Sequence, residues 1–197
     1  MKKLFLGMAI AASSLTFAQS FGIKGGMNLS TISDDTDLNQ KSKVGYYAGA
    51  FVNLPLAESF SLQPEVLYNN LGAKFTEDED SATLNLDYIS VPVMFQYNLV
   101  PEFYLEAGPE FGFLVNSKVK SDNALVEAVG NEIYKKDNLN SFNFGVGLGA
   151  GFNFTKNVGL SARYVAGFTD FTKENSDADD DAKNRNNTFQ VGLNFKF

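Results

Sequence analysis

No cysteine, histidine or tryptophan occurs among the 197 residues, and only 5 are proline. Without cysteine the chain can carry neither a disulfide framework nor a lipid attached to an amino-terminal thiol. Without histidine, any hydrolytic machinery that relies on an imidazole base is excluded. Bases are in deficit, 16 Lys and Arg against 23 Asp and Glu, so a nucleic-acid backbone is repelled rather than bound. Long apolar runs are missing as well. Beyond the amino terminus no stretch stays apolar for the roughly 20 residues that a spanning helix needs.

The amino terminus itself is organised for export. Lys2 and Lys3 precede an apolar run from Leu4 to Leu15, followed by Thr16-Phe17-Ala18. That order of charged, apolar and small-residue regions predicts a cleavable secretory signal over residues 1–18, cut after Ala18. The run is too short to serve as a transmembrane anchor. Residues 19–197 then form one domain. Loss of Lys2 and Lys3 leaves 14 basic against 23 acidic residues, a net charge of −9.

Periodicity predicts the fold. From Phe142 to Phe154 every even position is apolar, while the odd positions are Asn143, Gly145, Gly147, Gly149, Gly151 and Asn153. A period of two marks a strand. The carboxyl-terminal segment repeats it, with Phe189, Val191, Leu193, Phe195 and Phe197 on one face and Gln190, Gly192, Asn194 and Lys196 on the other. Six further segments alternate in the same way: Phe21 to Ser30, Lys43 to Leu54, Phe60 to about Leu71, Thr83 to Tyr97, Phe103 to Asn116, and Val158 to Thr169. Eight strands are expected. Short connections (Pro55 to Ser59, Val100 to Glu102, Thr155 to Asn157) alternate with longer ones (Thr31 to Ser42, Thr76 to Ala82, Ser117 to Asn138, Asp170 to Asn186). That asymmetry fits an all-β, eight-stranded antiparallel up-and-down transmembrane β-barrel with periplasmic turns and extracellular loops.

Volume decides which face points inward. An eight-stranded barrel has room inside only for its own side chains, and the apolar faces carry Phe103, Phe111, Phe113, Phe142, Phe144, Phe152, Phe154, Phe189, Phe195 and Phe197. These cannot all fit within, whereas the glycine-rich opposite faces suit a cramped lumen. The apolar face therefore meets lipid. Phe60, Tyr97, Phe103, Phe154, Phe195 and Phe197 at the turn end, with Tyr46, Phe142 and Phe168 toward the loop end, read as the two interface girdles of a bacterial outer-membrane barrel. Both termini fall on the periplasmic side.

Several motifs point the same way: Phe21-Gly22-Ile23-Lys24-Gly25-Gly26-Met27-Asn28-Leu29-Ser30, Leu62-Gln63-Pro64-Glu65-Val66-Leu67-Tyr68, Tyr88-Ile89-Ser90-Val91-Pro92 and Leu105-Glu106-Ala107-Gly108-Pro109. On these the whole mature chain resembles the PorT-like outer-membrane β-barrel family. The resemblance implies the barrel and its location. One member class acts in type IX protein secretion, but no residue here singles out that role. The last strand, ending in Phe197, is similar to the signal read by the outer-membrane barrel insertion machinery.

Two irregularities stand out. In the fourth strand Leu84, Leu86 and Tyr88 are even, whereas Ile89, Val91, Val93, Phe95 and Tyr97 are odd, which predicts a bulge near Tyr88. Pro64, Pro92 and Pro109 lie inside strands and each removes a donor, so bulges are expected there too. Inward parity places Lys24, Glu65, Glu106, Glu110, Arg163 and Lys196 in the lumen with Gln63, Gln96 and Gln190. Buried charges have to pair. Strand order and height predict Lys24 near Glu106, and Arg163 near Glu65 or Glu110. Such a set serves either as a structural network that plugs the lumen or as a charged gate; eight strands favour the plug.

Catalysis finds little support. Outer-membrane barrel proteases, phospholipases and acyltransferases resemble one another in needing a histidine. Glu106 and Glu110 could act as an acid–base pair, but ion pairing accounts for them better. The run Gly145 to Gly151 has no helix after it, so it is not a nucleotide loop. The four longer connections hold 17 of the 23 carboxylates. Asp177, Asp179, Asp180 and Asp181 could supply oxygens to a divalent cation, yet EF-hand spacing is absent and a block of like charges favours a solvated loop. The expectation is an outer-membrane protein with no enzymatic activity and no cofactor, its loops facing extracellular ligands; a narrow passive channel and a role in type IX secretion are the alternatives.

Overall fold

The computed structural model describes residues 19–33, 40–77, 80–170 and 185–197. The strands are β1 (Ser20–Ser33), β2 (Gln40–Ala57), β3 (Phe60–Glu77), β4 (Asp80–Val100), β5 (Phe103–Ser121), β6 (Phe142–Asn153), β7 (Val158–Gly167) and β8 (Arg185–Lys196). Every strand pairs antiparallel with its sequence neighbour, and β8 closes on β1. Closure removes the open edges that lipid could not satisfy.

Alternation explains the orientation of each strand. Phe21, Ile23, Met27, Tyr46, Phe95, Leu148, Phe154, Leu193 and Phe197 stand exposed on the outer wall, whereas Lys24, Glu65, Gln96, Glu106 and Arg163 are buried inside. Aromatic rings gather in two belts on that wall. Phe60 stacks with Tyr97 (centroids 4.8 Å apart) and Phe195 with Phe197 (5.3 Å) at the turn end. At the loop end, Phe113 meets Phe142 at 5.6 Å and Tyr46 meets Tyr68 at 6.0 Å.

The β3–β4 hairpin pairs up to Glu77 and Asp80, so the connection expected over Thr76 to Ala82 is mostly ladder. The segment expected as a loop from Ser117 to Asn138 is structured too. β5 continues to Ser121, and a helix, α1 (Ala124–Ile133), follows it. Asn123 caps α1 by accepting from the Leu125 amide at 3.1 Å. Above Leu114, whose amide donates to the Ser141 carbonyl at 2.8 Å, β5 has no strand partner on its β6 side, and α1 covers that edge. The Asn131 side chain accepts from the Val119 amide at 2.8 Å and donates to its carbonyl at 3.2 Å. A side-chain amide here stands in for a neighbouring strand, one of the ways in which proteins protect a sheet edge.

The expected bulges are corrected. β4 keeps one parity throughout: Leu84, Leu86, Tyr88, Ser90, Met94 and Gln96 are all buried in the interior. A register shift does occur at this height, but the extra residue is Val115 in β5, between the pairs Asp87↔Asn116 and Tyr88↔Leu114. Pro64, Pro92 and Pro109 cause no bulges. Pairing lapses for two residues beside each of Pro64, Pro92 and Pro109 and resumes in the same register. The missing donor costs ladder bonds locally, while a one-residue slip would turn every later side chain to the wrong face.

Such a ladder should be heat-modifiable on gels when purified in detergent. Limited proteolysis should leave Phe142–Asn153 intact and cut only outside the strands. Cleavage within β6 at the same rate as in the connections would contradict a closed barrel.

Candidate functional site in the barrel lumen

The lumen is organised around Arg163 on β7. Its Nη2 and Nη1 donate to Glu65 Oε1 at 2.8 Å and Oε2 at 3.0 Å, while its Nε donates to Glu106 Oε1 at 2.8 Å. Lys24 on β1 adds a bond to Glu65 Oε1 at 3.1 Å. Two bases and two acids thus balance, with the Lys24, Glu65, Glu106 and Arg163 side chains at most 3% exposed. The planar guanidinium serves both carboxylates through separate edges, which a lysine could not do.

Glycine makes the reach possible. Glu106, Gly149 and Arg163 occupy one row across β5, β6 and β7. A Cβ on Gly149 would lie 3.1 Å from Glu106 Oε1 and 2.6 Å from the Ala162 carbonyl. On β6, Gly147 likewise gives way to Met94, and Gly151 to the Tyr104 ring. Across the barrel, Gly49 of β2 is the row partner of Lys24, so Lys24 reaches past β2 to Glu65 on β3. This corrects the expected pairing of Lys24 with Glu106. Counting residues from the turn end ignores the stagger of a tilted barrel.

Amides extend the network in both directions. Gln63 donates to Glu65 at 2.8 Å and Gln96 to Glu106 at 3.0 Å. Below them Asn53 donates to Gln96 at 2.9 Å and to Ser61 at 3.1 Å. This layer floors a polar cavity of about 410 Å³ that opens at the turn end and is lined in part by Glu58, Asn98, Asn153 and Lys196. Lys196 therefore lies at the mouth of the barrel, apart from Arg163 and its partners. Above them Gln190 donates to Asn69, and Asn69 to Ser90, each at 3.0 Å.

Glu110 stands outside the balanced set. Ser90 hydrogen-bonds it, its Oε2 has no partner, and it borders a cavity of about 20 Å³ beside Tyr88, Asn143, Asn186 and Thr188. That volume suits one water molecule. Nearer the loop end the side of the interior lined by β3, β4 and β5 turns apolar, while Ser30, Lys43, Asn186 and Thr188 are buried on β1, β2 and β8. Leu71, Ala73, Leu84, Leu86, Tyr88, Leu114 and Val119 pack together under Leu139 from the segment after α1.

Among the described residues no cluster of acids is placed to hold a metal ion. The candidate cation ligands Asp177, Asp179, Asp180 and Asp181 lie outside those residues. Sequence reasoning overlooked Asn53, Ser61, Asn69 and the apolar cluster. Parity would have placed the first three inside, since Ser61 and Asn69 share the β3 face of Gln63 and Glu65, and Asn53 shares the β2 face of Tyr47 and Phe51.

A closed eight-stranded ring with an apolar, aromatic-belted exterior and a polar interior defines the class: a transmembrane β-barrel. Residues 17–173 match the family of the outer membrane protein beta-barrel domain. The chain belongs to that family, which places it in the bacterial outer membrane. It is similar in fold to Ail, the attachment invasion locus protein of Yersinia pestis, whose structure was solved in complex with the heparin analogue sucrose octasulfate. Identity is 16%, coverage 92% of this chain and 100% of that one, and the TM-score 0.51. Neisserial surface protein A is also similar: 13% identity over 91% of this chain and 99% of that one, with a TM-score of 0.53. Comparison with curated proteins finds no match.

Proposed function

We propose that the mature protein, freed of residues 1–18, is a non-enzymatic anchor in the outer membrane whose four loop-end connections face outward and meet extracellular partners. Both termini then face the periplasm. The observation that carries this reading is the filling of the lumen: Arg163, Lys24 and two glutamates occupy its middle, and the apolar cluster under Leu139, together with buried Ser30, Lys43, Asn186 and Thr188, occupies the loop-end half. Burying these ions without mutual contacts would cost several kcal/mol each, so the set acts as a fixed structural plug. Loops on such a rigid scaffold are where recognition concentrates. Their carboxylates favour neutral or cationic partners over polyanions. Within the family, the motifs Leu62 to Tyr68 and Leu105 to Pro109 support placement near the PorT-like members.

Three measurements test the reading. In a planar bilayer the protein should show no steady conductance; long-lived open steps at modest voltage would replace the anchor with a narrow channel. For orientation, Ala128→Cys on α1 supplies a unique thiol in a chain without cysteine. A membrane-impermeant maleimide should label it on intact cells. Labelling only after lysis would reverse the orientation. Recovery of secretion components with the barrel from crosslinked cells would move the function to type IX export.

A further inference from the structure

The strands β3, β4 and β5 continue as a paired sheet well past the loop-end aromatic belt, and their outward face has an unusual composition. Its outward positions are Lys74 on β3, Thr83 and Asn85 on β4, and Asn116, Lys118 and Lys120 on β5. Lys74, Thr83 and Lys120 share one row, and Asn85 and Lys118 share a neighbouring row. The one acid on this face near the belt, Asp87, is enclosed. It accepts from Asn70 at 2.6 Å and from Asn116 at 3.0 Å, and Tyr68 also bonds it.

Lys74, Lys118 and Lys120 are exposed, and the ion pairs resolved among residues with described side chains, all centred on Glu65 and Glu106, do not include them. Three adjacent bases of one sign repel one another, and the chain as a whole carries net negative charge, so a solvated wall would not be expected to collect them. Height supplies a second observation. Tyr68 and Phe113 mark the loop-end belt, and Lys118 and Lys120 follow Asn116 by two and four residues. At about 3.4 Å per residue their Cα atoms lie roughly 7 and 14 Å farther along the strand. An outward wall just beyond an aromatic girdle faces the headgroup layer of the leaflet.

We infer that this face of β3–β4–β5 is a binding site for the phosphate groups of an anionic glycolipid in the outer leaflet. The three lysines take the phosphates, and Asn85, Asn116 and Thr83 offer donors and acceptors to sugar hydroxyls. Lysines near an anionic surface contribute roughly fivefold each to binding. The inference rests on the outward orientation of the loops proposed above.

The test uses full-length mature protein in detergent, incubated with diphosphoryl lipid A or its dephosphorylated form, separated by size exclusion and assayed by mass spectrometry for retained lipid acyl chains. The parent should retain lipid A and should not retain its dephosphorylated form. The K74Q/K118Q/K120Q variant should bind at least tenfold more weakly while keeping the parent's heat-modifiability. K135Q/K136Q, which removes two exposed lysines off this wall, should bind as the parent does. Equal retention by the triple variant, equal loss in K135Q/K136Q, or equal retention of the dephosphorylated lipid would each overturn the site. Maleimide labelling of Ala128→Cys on cells is independent of this assay, so failure of the orientation and failure of the site are read separately.

Discussion

Replacing Arg163 with alanine should destabilise the barrel by about 3–5 kcal/mol, the usual cost of breaking a buried pair. The guanidinium donates three hydrogen bonds, two to Glu65 and one to Glu106, and both carboxylates are at the limit of burial. Without it, Lys24 is the remaining cation at Glu65, beside the Gln63 amide, and Glu106 keeps the Gln96 amide as its side-chain donor among the described residues. Arg163→Lys should recover only part, because one ammonium cannot serve two carboxylates in fork geometry. Adding Glu106→Gln to Arg163→Ala should restore part of the loss by removing the uncompensated ion. Glu102→Gln, an exposed acid in the β4–β5 turn, should change stability by about 1 kcal/mol or less. Urea unfolding in lipid vesicles resolves all four. An unchanged midpoint for Arg163→Ala would mean that the lumen does not depend on its ions, and the closed-plug reading would lose its physical basis.

The strand count, the outward apolar face and the turn-end and loop-end belts were legible in the sequence because a half-buried strand has a period of two. That period is enforced along most of the chain by lipid on one side and a narrow lumen on the other. The membership of the lumen set followed from the same parity, but its pairing did not. Lys24 goes past Gly49, its row partner on β2, to Glu65 on β3, and that depends on stagger between strands, which no single strand encodes. The α1 helix was hidden by its shortness: Ala124–Ile133 offers fewer than three turns, and its docking depends on Asn131 meeting a backbone edge that exists only because β5 outruns β6. Acid-rich connections were legible in composition alone.

The fourth strand misled for a more instructive reason. Apolar residues were assumed to face lipid, so the switch from Leu84, Leu86 and Tyr88 to Ile89 and Val91 read as a change of phase. In the structure the phase is constant, and it is the lining contributed by β3, β4 and β5 that changes character, from ionic in the middle to apolar near the loops. Beyond the belt the outer wall no longer contacts hydrocarbon, and an apolar inner cluster becomes the means of holding the extended β3–β4–β5 sheet together.

Leu86→Ala tests this directly. Leu86 is fully buried in the cluster, so its truncation should cost about 2–5 kcal/mol, the range for deleting a large aliphatic side chain from a packed core. Were Leu86 on the outer wall beyond the belt, as a bulge at Tyr88 would place it, it would face headgroups and water and its loss would cost little. Asn85→Ala is the matched control. Asn85 faces outward and donates to the Thr83 and Lys118 carbonyls at 3.3 and 3.4 Å, long bonds at a partly exposed site, so about 1 kcal/mol or less is expected. The cluster also joins strands to the segment after α1 through Leu139. Leu86→Ala and Leu139→Ala should therefore be non-additive, since neighbours in one packed cluster share a cavity. The urea midpoints of the two single variants, the double variant and Asn85→Ala supply the complete cycle. If Asn85→Ala proves as costly as Leu86→Ala, or the two leucine truncations simply add, then the loop-end half of the lumen is not a packed core.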